Sequence, residues 1–348
     1  MPGLAALQHD AVRRGRVIIA TVASSSAGAL ARFACLVLAL ASASAHASPF
    51  MHPPAAVAIA PGVFVLMGRD GDVSPDNLGR IANIAFVVGP RGVVVVDSGV
   101  SFREGEAIIA AVRQVTRRPI RLVVITHASR EVVFGAAAFQ AQGIPVWMHA
   151  DAAALMASRC DACLAGLAET LGAKAMARSR VVVPDHVFAA TLMLDVIGRP
   201  LMLIAPAHGS APGAIAVFDV ATRTLIAGAL ISVERVPDMR DASGPWRGAL
   251  AMLASTRCLH LIPAYGRVGS CADIEGIDHY FAALEQRVRE LLTAGVGLAE
   301  LPARCDLPEF SGWAGYATLH VRNANREYLR IERAAFDDPD WKPTGLKD

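Results

Sequence analysis

The stretch that decides the fold is residues 84–96, which read IAFVVGPRGVVVV. Two apolar runs, 84–88 and 93–96, flank the turn residues Gly89, Pro90, Arg91 and Gly92. A short, continuous apolar run bounded by turn residues is typical of a strand that is buried on both faces. The stretch therefore predicts a strand–turn–strand unit in a sheet that is covered on both sides.

Helices and strands alternate outward from this unit. Apolar positions at helical spacing predict helices at 102–115, 133–142 and 152–173, and buried strands at 122–125 and 144–148. The second half predicts strands at 201–204, 214–219, 224–227 and 258–262, and helices at 274–294 and 315–333. This order favours an α/β sandwich with a partly parallel central sheet, built as one compact domain.

Composition excludes several classes of protein. The chain has 348 residues, of which 54% are hydrophobic and 18% charged, so it has ample material for a core and is not expected to be disordered. The formal net charge is only +2, and the basic excess belongs to the first 47 residues. A nucleic-acid partner is therefore not expected.

The N-terminus has the parts of a secretory signal peptide. Arg13, Arg14 and Arg16 precede an apolar run at 33–41 and the small-residue sequence Ala45-His46-Ala47. We predict a signal peptide at 1–47 and a mature domain at 48–348 that is periplasmic or secreted and has no membrane segment. An uncleaved anchor and a twin-arginine signal are the alternatives.

Cysteine usage fits an exported protein. Five cysteines follow residue 47: Cys160, Cys163, Cys258, Cys271 and Cys305. An oxidising compartment permits disulfides, and an odd number leaves at least one thiol unpaired or intermolecular. Cys160 and Cys163 have CxxC spacing inside a predicted helix, which favours a local disulfide or buried thiols over a redox or metal site.

Polar residues follow three of the predicted strands. Asp97 comes directly after 93–96, His127 follows 122–125 and precedes Glu131, and His208 follows 201–204. Each could be a structural residue, since Asp97 could cap the next turn and a lone histidine at a strand end is usually structural. Two histidines together with two carboxylates nevertheless suggest the remnant of a metal site.

With these residues the chain resembles the metallo-β-lactamase superfamily, and within it the quinoprotein relay system zinc metallohydrolases. The supporting residues are 83–88 leading to Asp97-Ser98-Gly99, the helix with Arg159-Cys160, Gly172 and Met176, Pro206-Ala207-His208, Arg235-Val236-Pro237-Asp238, and 322–332. The resemblance implies an αββα sandwich with a metal site at one edge of its sheets. It also implies a periplasmic quinoprotein system as a partner.

The family's metal signature is Thr-His-x-His-x-Asp-His, with further histidine and aspartate ligands downstream. Here His127 and His208 match the first and third histidines, while Glu131 replaces the aspartate. Four expected ligand positions hold other residues: Ser129, Val132, Ala229 and Tyr265. The resemblance gives Asp97 the role of orienting the histidine loop, with Ser129 nearby.

Three functions follow. We expect chiefly a member that lacks dinuclear zinc hydrolysis and acts in binding or as an accessory protein. The second is a mononuclear hydrolase holding one zinc at most with His127, His208 and Glu131, with Glu131 or Tyr265 as a catalytic group. The third is a thiol or redox protein acting through Cys160 and Cys163.

Overall fold

Two mixed sheets form the centre of the computed structural model, which describes residues 53–240 and 243–337. The first sheet has the order β1-β2-β3-β4-β5-β6-β7, antiparallel from β1 to β4 and parallel from β4 to β7. Its strands are β1 Ala56–Ala60, β2 Val63–Leu66, β3 Ile84–Gly89, β4 Gly92–Val96, β5 Ile120–Ile125, β6 Val146–His149 and β7 His186–Phe188.

The second sheet has the order β12-β11-β10-β9-β8, in which only β11 and β12 run parallel. Its strands are β8 Leu192–Leu194, β9 Leu201–Ile204, β10 Ala216–Asp219, β11 Thr224–Val233 and β12 His260–Gly266. A disulfide joins Cys258, just before β12, to Cys271. The disulfide thereby joins the segment just before β12 to the segment just before the helix Asp273–Thr293.

Helices cover the outer faces of both sheets. On the first sheet lie α1 Phe102–Val115, α2 Ala136–Gln140 and α3 Ala150–Leu171. On the second lie α4 Ser243–Ala254, α5 Asp273–Thr293, α6 Leu301–Arg304 and α7 Val321–Phe336, with a 3₁₀ turn at Pro308–Phe310 and a π turn at Tyr316–His320. None of the helices in the described part of the chain is both long and apolar enough to cross a bilayer.

The run of valines in β4 shows why the layers form. Val94 and Val96 pack into the core between the two sheets, whereas Val93 and Val95 pack against the helices on the outer face. All four side chains have no exposed surface. Because successive side chains of a strand point to opposite faces, only a strand covered on both sides can be apolar at every position.

The predicted αββα sandwich with a single domain is therefore confirmed. The strand–turn–strand unit of 84–96, the helix at 102–115 and the parallel strands that follow all form. The predicted helix at 133–142 shortens to Ala136–Gln140, and the one at 315–333 is divided between the π turn and α7. Strands β1, β2, β7 and β8 and helices α4 and α6 were not predicted. The predicted signal peptide lies outside the described residues.

Candidate functional site

A cavity of about 590 Å³ opens where the ends of β4 and β5 meet β11 and β12. Its wall includes His127, Ser129 and Glu131 from the loop after β5, and Tyr265 from β12. Ala229 of β11 and Ser210 of the loop after β9 complete that side. The structure thus brings most of the sequence-predicted site residues to one place.

Asp97, Thr126 and His127 form a buried hydrogen-bonded chain behind this wall. The Asp97 carboxylate accepts hydrogen bonds from the Thr126 backbone N–H at 2.8 Å and from the Thr126 hydroxyl at 2.9 Å. The Thr126 hydroxyl lies 2.8 Å from Nδ1 of His127. Above about pH 7, where Asp97 is ionised, the single hydroxyl proton of Thr126 is donated to the carboxylate, and His127 then donates Nδ1–H to the hydroxyl oxygen. Asp97 is therefore linked to the histidine through Thr126.

Nε2 of His127 consequently has a lone pair and no hydrogen-bond partner. The side chain is buried, and burial lowers the pKa of His127 to about 4, with the Arg240 guanidinium lowering it further and Glu131 opposing. The imidazole is therefore neutral near pH 7, and Nε2 is an acceptor for a hydrogen-bond donor or an electrophile.

The Glu131 carboxylate already has protein partners. Ser129 donates its hydroxyl to Oε2 of Glu131, and Arg130 donates Nε to Oε1 at 3.0 Å. Glu131 is buried, so these contacts hold its charge at the cavity wall. The next residue, Val132, is fully buried in the core between the first sheet and its helices and is not among the residues that line the cavity.

Tyr265 is held against the same wall by Asn83. The Asn83 side chain donates to the carbonyls of Pro263 and Gly266, both at 2.9 Å, and so fixes the end of β12. The Tyr265 ring lies 6.5 Å from the His127 ring, in an edge-on arrangement. Burial raises the pKa of Tyr265 above its usual range, and a hydrogen bond with Ser129 opposes the rise. The phenol therefore remains protonated, as a donor needs to be.

His208 does not join this group. It is exposed on the loop after β9 and does not line the cavity, whereas Ser210 and Ala211 of the same loop do. Among residues 53–240 and 243–337, no cluster of three or more His, Cys, Asp or Glu side chains could hold a metal. The triad of His127, His208 and Glu131 that sequence suggested is therefore not assembled, because the loop directs Ser210 inward where the pattern expected the histidine.

The residues consequently do not fit a zinc site. Zinc needs about four N, O or S ligands, of which a catalytic site takes three from the protein. The cavity wall offers one unpartnered imidazole and the Glu131 carboxylate, which Ser129 and Arg130 already contact. The other two carboxylates of the lining, those of Asp72 and Asp238, pair with arginines. Ala229 provides no donor at all.

Sequence analysis did not predict a group of arginines that lines the cavity. Arg130, Arg235, Arg240 and Arg322 all line it. Arg235 lies over the Tyr265 ring, with its guanidinium carbon 5.5 Å from the ring centre. The available signals were Arg235-Val236-Pro237-Asp238 and the spacing of Arg322 and Arg326, which sequence reasoning used only as marks of resemblance.

The remaining cysteines are reduced. Cys160, Cys163 and Cys305 are free thiols, so the predicted alternative of a local disulfide between Cys160 and Cys163 is wrong and that of free thiols holds. Burial and the neighbouring Cys163 raise the pKa of Cys160 to about 12. Reactive cysteines have a lowered pKa, so Cys160 lacks the thiolate that redox chemistry requires.

Comparison with known proteins agrees with this architecture. The family model for the metallo-beta-lactamase superfamily matches residues 78–270. No curated protein matches the chain.

Among solved structures, the chain is similar to a metallo-beta-lactamase from Pontibacter korlensis, with 17% identity and a TM-score of 0.52 over 65% of this chain and 96% of that one. It is similar to one from Hirschia baltica, with 18% identity and a TM-score of 0.53 over 66% and 98%. The mono-zinc form of FIM-1 from Pseudomonas aeruginosa gives 20% identity and a TM-score of 0.52 over 66% and 95%. At these identities the likeness is one of fold.

Proposed function

The chain belongs to the metallo-beta-lactamase superfamily, and we propose that it is an exported member that binds a small molecule without dinuclear zinc hydrolysis. One observation carries the proposal: the cavity that the superfamily fold places at this sheet edge has the wrong side chains for two metals. Val132 is buried in the core, Ala229 lines the cavity without a ligand atom, and His208 is exposed on its loop.

The neutral imidazole of His127, the phenol of Tyr265 and the arginines provide what a binding site needs instead. Ligand sites are commonly cavities of about 300–1,000 Å³ with a few converging polar groups in an otherwise apolar wall. The cavity volume of about 590 Å³ lies within that range. His127 would accept a hydrogen bond from a bound donor, and Tyr265 would donate a hydrogen bond to a bound acceptor.

We further propose that residues 1–47 direct export and that the mature chain, 48–348, acts in the periplasm or outside the cell. The sequence features that resemble the quinoprotein relay system metallohydrolases support a periplasmic quinoprotein system as its partner. N-terminal sequencing of the protein from a periplasmic fraction should begin at Ser48. A chain that starts at Met1 in the membrane fraction would contradict both the cleavage and the location.

Metal content decides between this function and the mononuclear hydrolase. The protein, expressed from the full-length gene and purified without added metal, should contain far less than one zinc per chain by plasma emission spectrometry. It should also remain below one equivalent after incubation with zinc and gel filtration. Stoichiometric zinc that is lost in the His127→Ala/His208→Ala double variant, together with hydrolysis of a β-lactam or ester, would overturn the proposal.

A further inference from the structure

The charges around the cavity favour a singly charged anion. The described lining residues include four arginines, Arg130, Arg235, Arg240 and Arg322, against three carboxylates, those of Asp72, Glu131 and Asp238. The lining therefore carries a formal charge of about +1 at neutral pH, since His127 is neutral. A monoanion would balance this charge.

The positive charge is concentrated beside Asp238. Its carboxylate is shared by three guanidinium groups, those of Arg322 at 3.2 Å, Arg326 at 3.3 Å and Arg240 at 3.6 Å. One carboxylate cannot satisfy the donors of three guanidinium groups. The side chains of Arg240 and Arg322 are 42% and 53% exposed, so their remaining donors are open to an incoming anion. A planar guanidinium matches a carboxylate with two parallel hydrogen bonds.

Two buried polar atoms point to the other end of the ligand. Nε2 of His127 and Oγ of Ser210 have no hydrogen-bond partner, although both side chains line the cavity and are more than nine-tenths buried. A buried polar group without a partner costs about 1–3 kcal/mol, so such groups normally mark a missing partner. When Asp97 is ionised, Thr126 takes Nδ1–H of His127, so Nε2 can only accept. The missing partner of Nε2 is therefore a donor.

Between these ends the wall is apolar. Ile81, Val236 and Leu319 line the cavity and are buried, and Ala229 adds a small apolar surface. Arg240 and His127 line the same cavity, and the Arg240 guanidinium lowers the pKa of His127. A ligand that reaches from the arginines to His127 must pass this apolar wall.

We infer that the cavity binds a small hydroxylated organic carboxylate, with its carboxylate on Arg240 and Arg322, its hydroxyl donating to Nε2 of His127, and its apolar body against Val236 and Leu319. The inference rests on the proposed function, because a zinc ion at Nε2 would remove the acceptor.

Isothermal titration calorimetry with three matched probes tests it, using chelator-treated protein at about pH 8, where the carboxylates are ionised. The probes are mandelate, mandelamide, which lacks the negative charge, and α-methoxyphenylacetate, which lacks the hydroxyl proton. Mandelate should bind at least about tenfold more tightly than either of the other two. Equal affinity for mandelate and mandelamide, or no detectable mandelate binding at about 10 mM, would overturn the inference.

Variants assign each end of the ligand. Arg322→Gln, at an exposed position, should weaken mandelate binding about tenfold, whereas Arg113→Gln, on the exposed surface of α1, should leave it unchanged. His127→Leu, which has no acceptor atom, should abolish the preference for mandelate over α-methoxyphenylacetate. An affinity that is the same in the Arg322→Gln and Arg113→Gln proteins, or a hydroxyl preference that persists without His127, would contradict the assignment.

The zinc content of the same sample separates the two proposals. If the protein contains no zinc and does not bind mandelate, only the proposed ligand class is wrong. Stoichiometric zinc with hydrolytic activity refutes the proposed function itself.

Discussion

Asp97 is the residue on which the geometry of the cavity wall depends. It has a left-handed backbone with a φ of 69°, which is uncommon for a residue other than glycine. This conformation follows directly after β4 and places the carboxylate against Thr126 of the neighbouring strand. Burial raises the pKa of Asp97 to about 7, while the two hydrogen bonds from Thr126 oppose the rise. The local strain is therefore offset by contacts that fix His127.

Removing the Thr126 hydroxyl tests the hydrogen-bonded connection from Asp97 to His127. Thr126→Val keeps the shape of the side chain but leaves the Asp97 carboxylate with only the backbone N–H and leaves Nδ1 of His127 without a partner. We expect a loss of about 1–3 kcal/mol in the free energy of unfolding, measured by urea denaturation. The ¹⁵N spectrum of His127 should also change from the Nδ1–H tautomer to a mixture.

Thr170→Val is the matched control, because Thr170 is exposed on α3 and bonds only within its own helix. Its effect should be within about 0.5 kcal/mol. A Thr126→Val protein with unchanged stability and an unchanged His127 spectrum would show that Asp97 does not act through Thr126.

Glu104 makes stability depend on pH. It is buried in the first turn of α1, where Oε2 accepts the Val100 N–H at 2.6 Å. Burial raises its pKa to about 7 from 4.5, and the Arg80 guanidinium opposes the rise. Because the folded protein keeps a proton that the unfolded chain loses, the free energy of unfolding falls as pH rises from about 4.5 to 7.

Glu104→Gln should remove this contribution, which is up to about 3 kcal/mol across the window. Asp97 retains its own contribution of the same sign, so the slope should become shallower without vanishing. Denaturation curves recorded at several pH values measure it. Glu106→Gln, on the exposed side of the same helix, should leave the slope unaltered; equal slopes in both variants would refute the role of Glu104.

At the scale of elements, β11 of the second sheet packs closely against Thr126, which links Asp97 to His127. Gly228 has a φ of +53°, and a Cβ built there would lie 2.6 Å from the Thr126 hydroxyl and 3.0 Å from the Ile215 carbonyl oxygen. Only glycine allows this close approach of the two sheets at the cavity. The neighbouring Ala229 thereby comes to line the wall.

Gly228→Ala should therefore destabilise the protein by roughly 2–4 kcal/mol, from backbone strain and from displacement of Thr126. Thermal unfolding followed by circular dichroism measures the loss. Gly166→Ala provides the opposite case, since Gly166 lies within α3 with no atoms near its Cβ position. It should stabilise by about 1 kcal/mol. A Gly228→Ala protein as stable as the wild type would mean that β11 can move away from Thr126 without a loss of stability.

The loop after β9 shows the limit of prediction at this scale. The sequence correctly predicts strands at 201–204 and within 214–219, because their apolar runs are local signals. The direction of the loop between them is decided by contacts elsewhere, such as the hydrogen bond from Ile215 N–H to the Thr126 carbonyl at 2.9 Å. His208 is therefore exposed and Ser210 buried, which no local pattern reveals.

For the whole molecule, the disulfide joins the second sheet to the helical layer that covers it. Cys258 and Cys271 lie 13 residues apart and close the segment that contains β12 and Tyr265. Closing a loop of this length stabilises a fold by about 3 kcal/mol, chiefly by restricting the unfolded chain. The bond would be expected to persist in the oxidising compartment that we propose.

The Cys258→Ala/Cys271→Ala variant should lose about 2–3 kcal/mol in the free energy of unfolding, measured by guanidinium denaturation. Dithiothreitol should lower the stability of the wild type to a similar level and leave the variant unchanged. If reductant destabilised both proteins equally, the effect would not come from this bond.

By itself the sequence determined the layered architecture, because buried strands and amphipathic helices are patterns of neighbouring residues that record which faces are covered. It also predicted that Asp97, His127 and Glu131 lie near one another, since polar residues that end adjacent strands meet at one sheet edge, whereas Tyr265 was expected there only from the family resemblance. Only the tertiary structure decided what the cavity contains. It turned His208 outward, buried Val132, exposed Nε2 of His127 to the cavity and gathered arginines from distant segments. The physical reason is that packing between the sheets fixes each loop, and no local pattern encodes that packing.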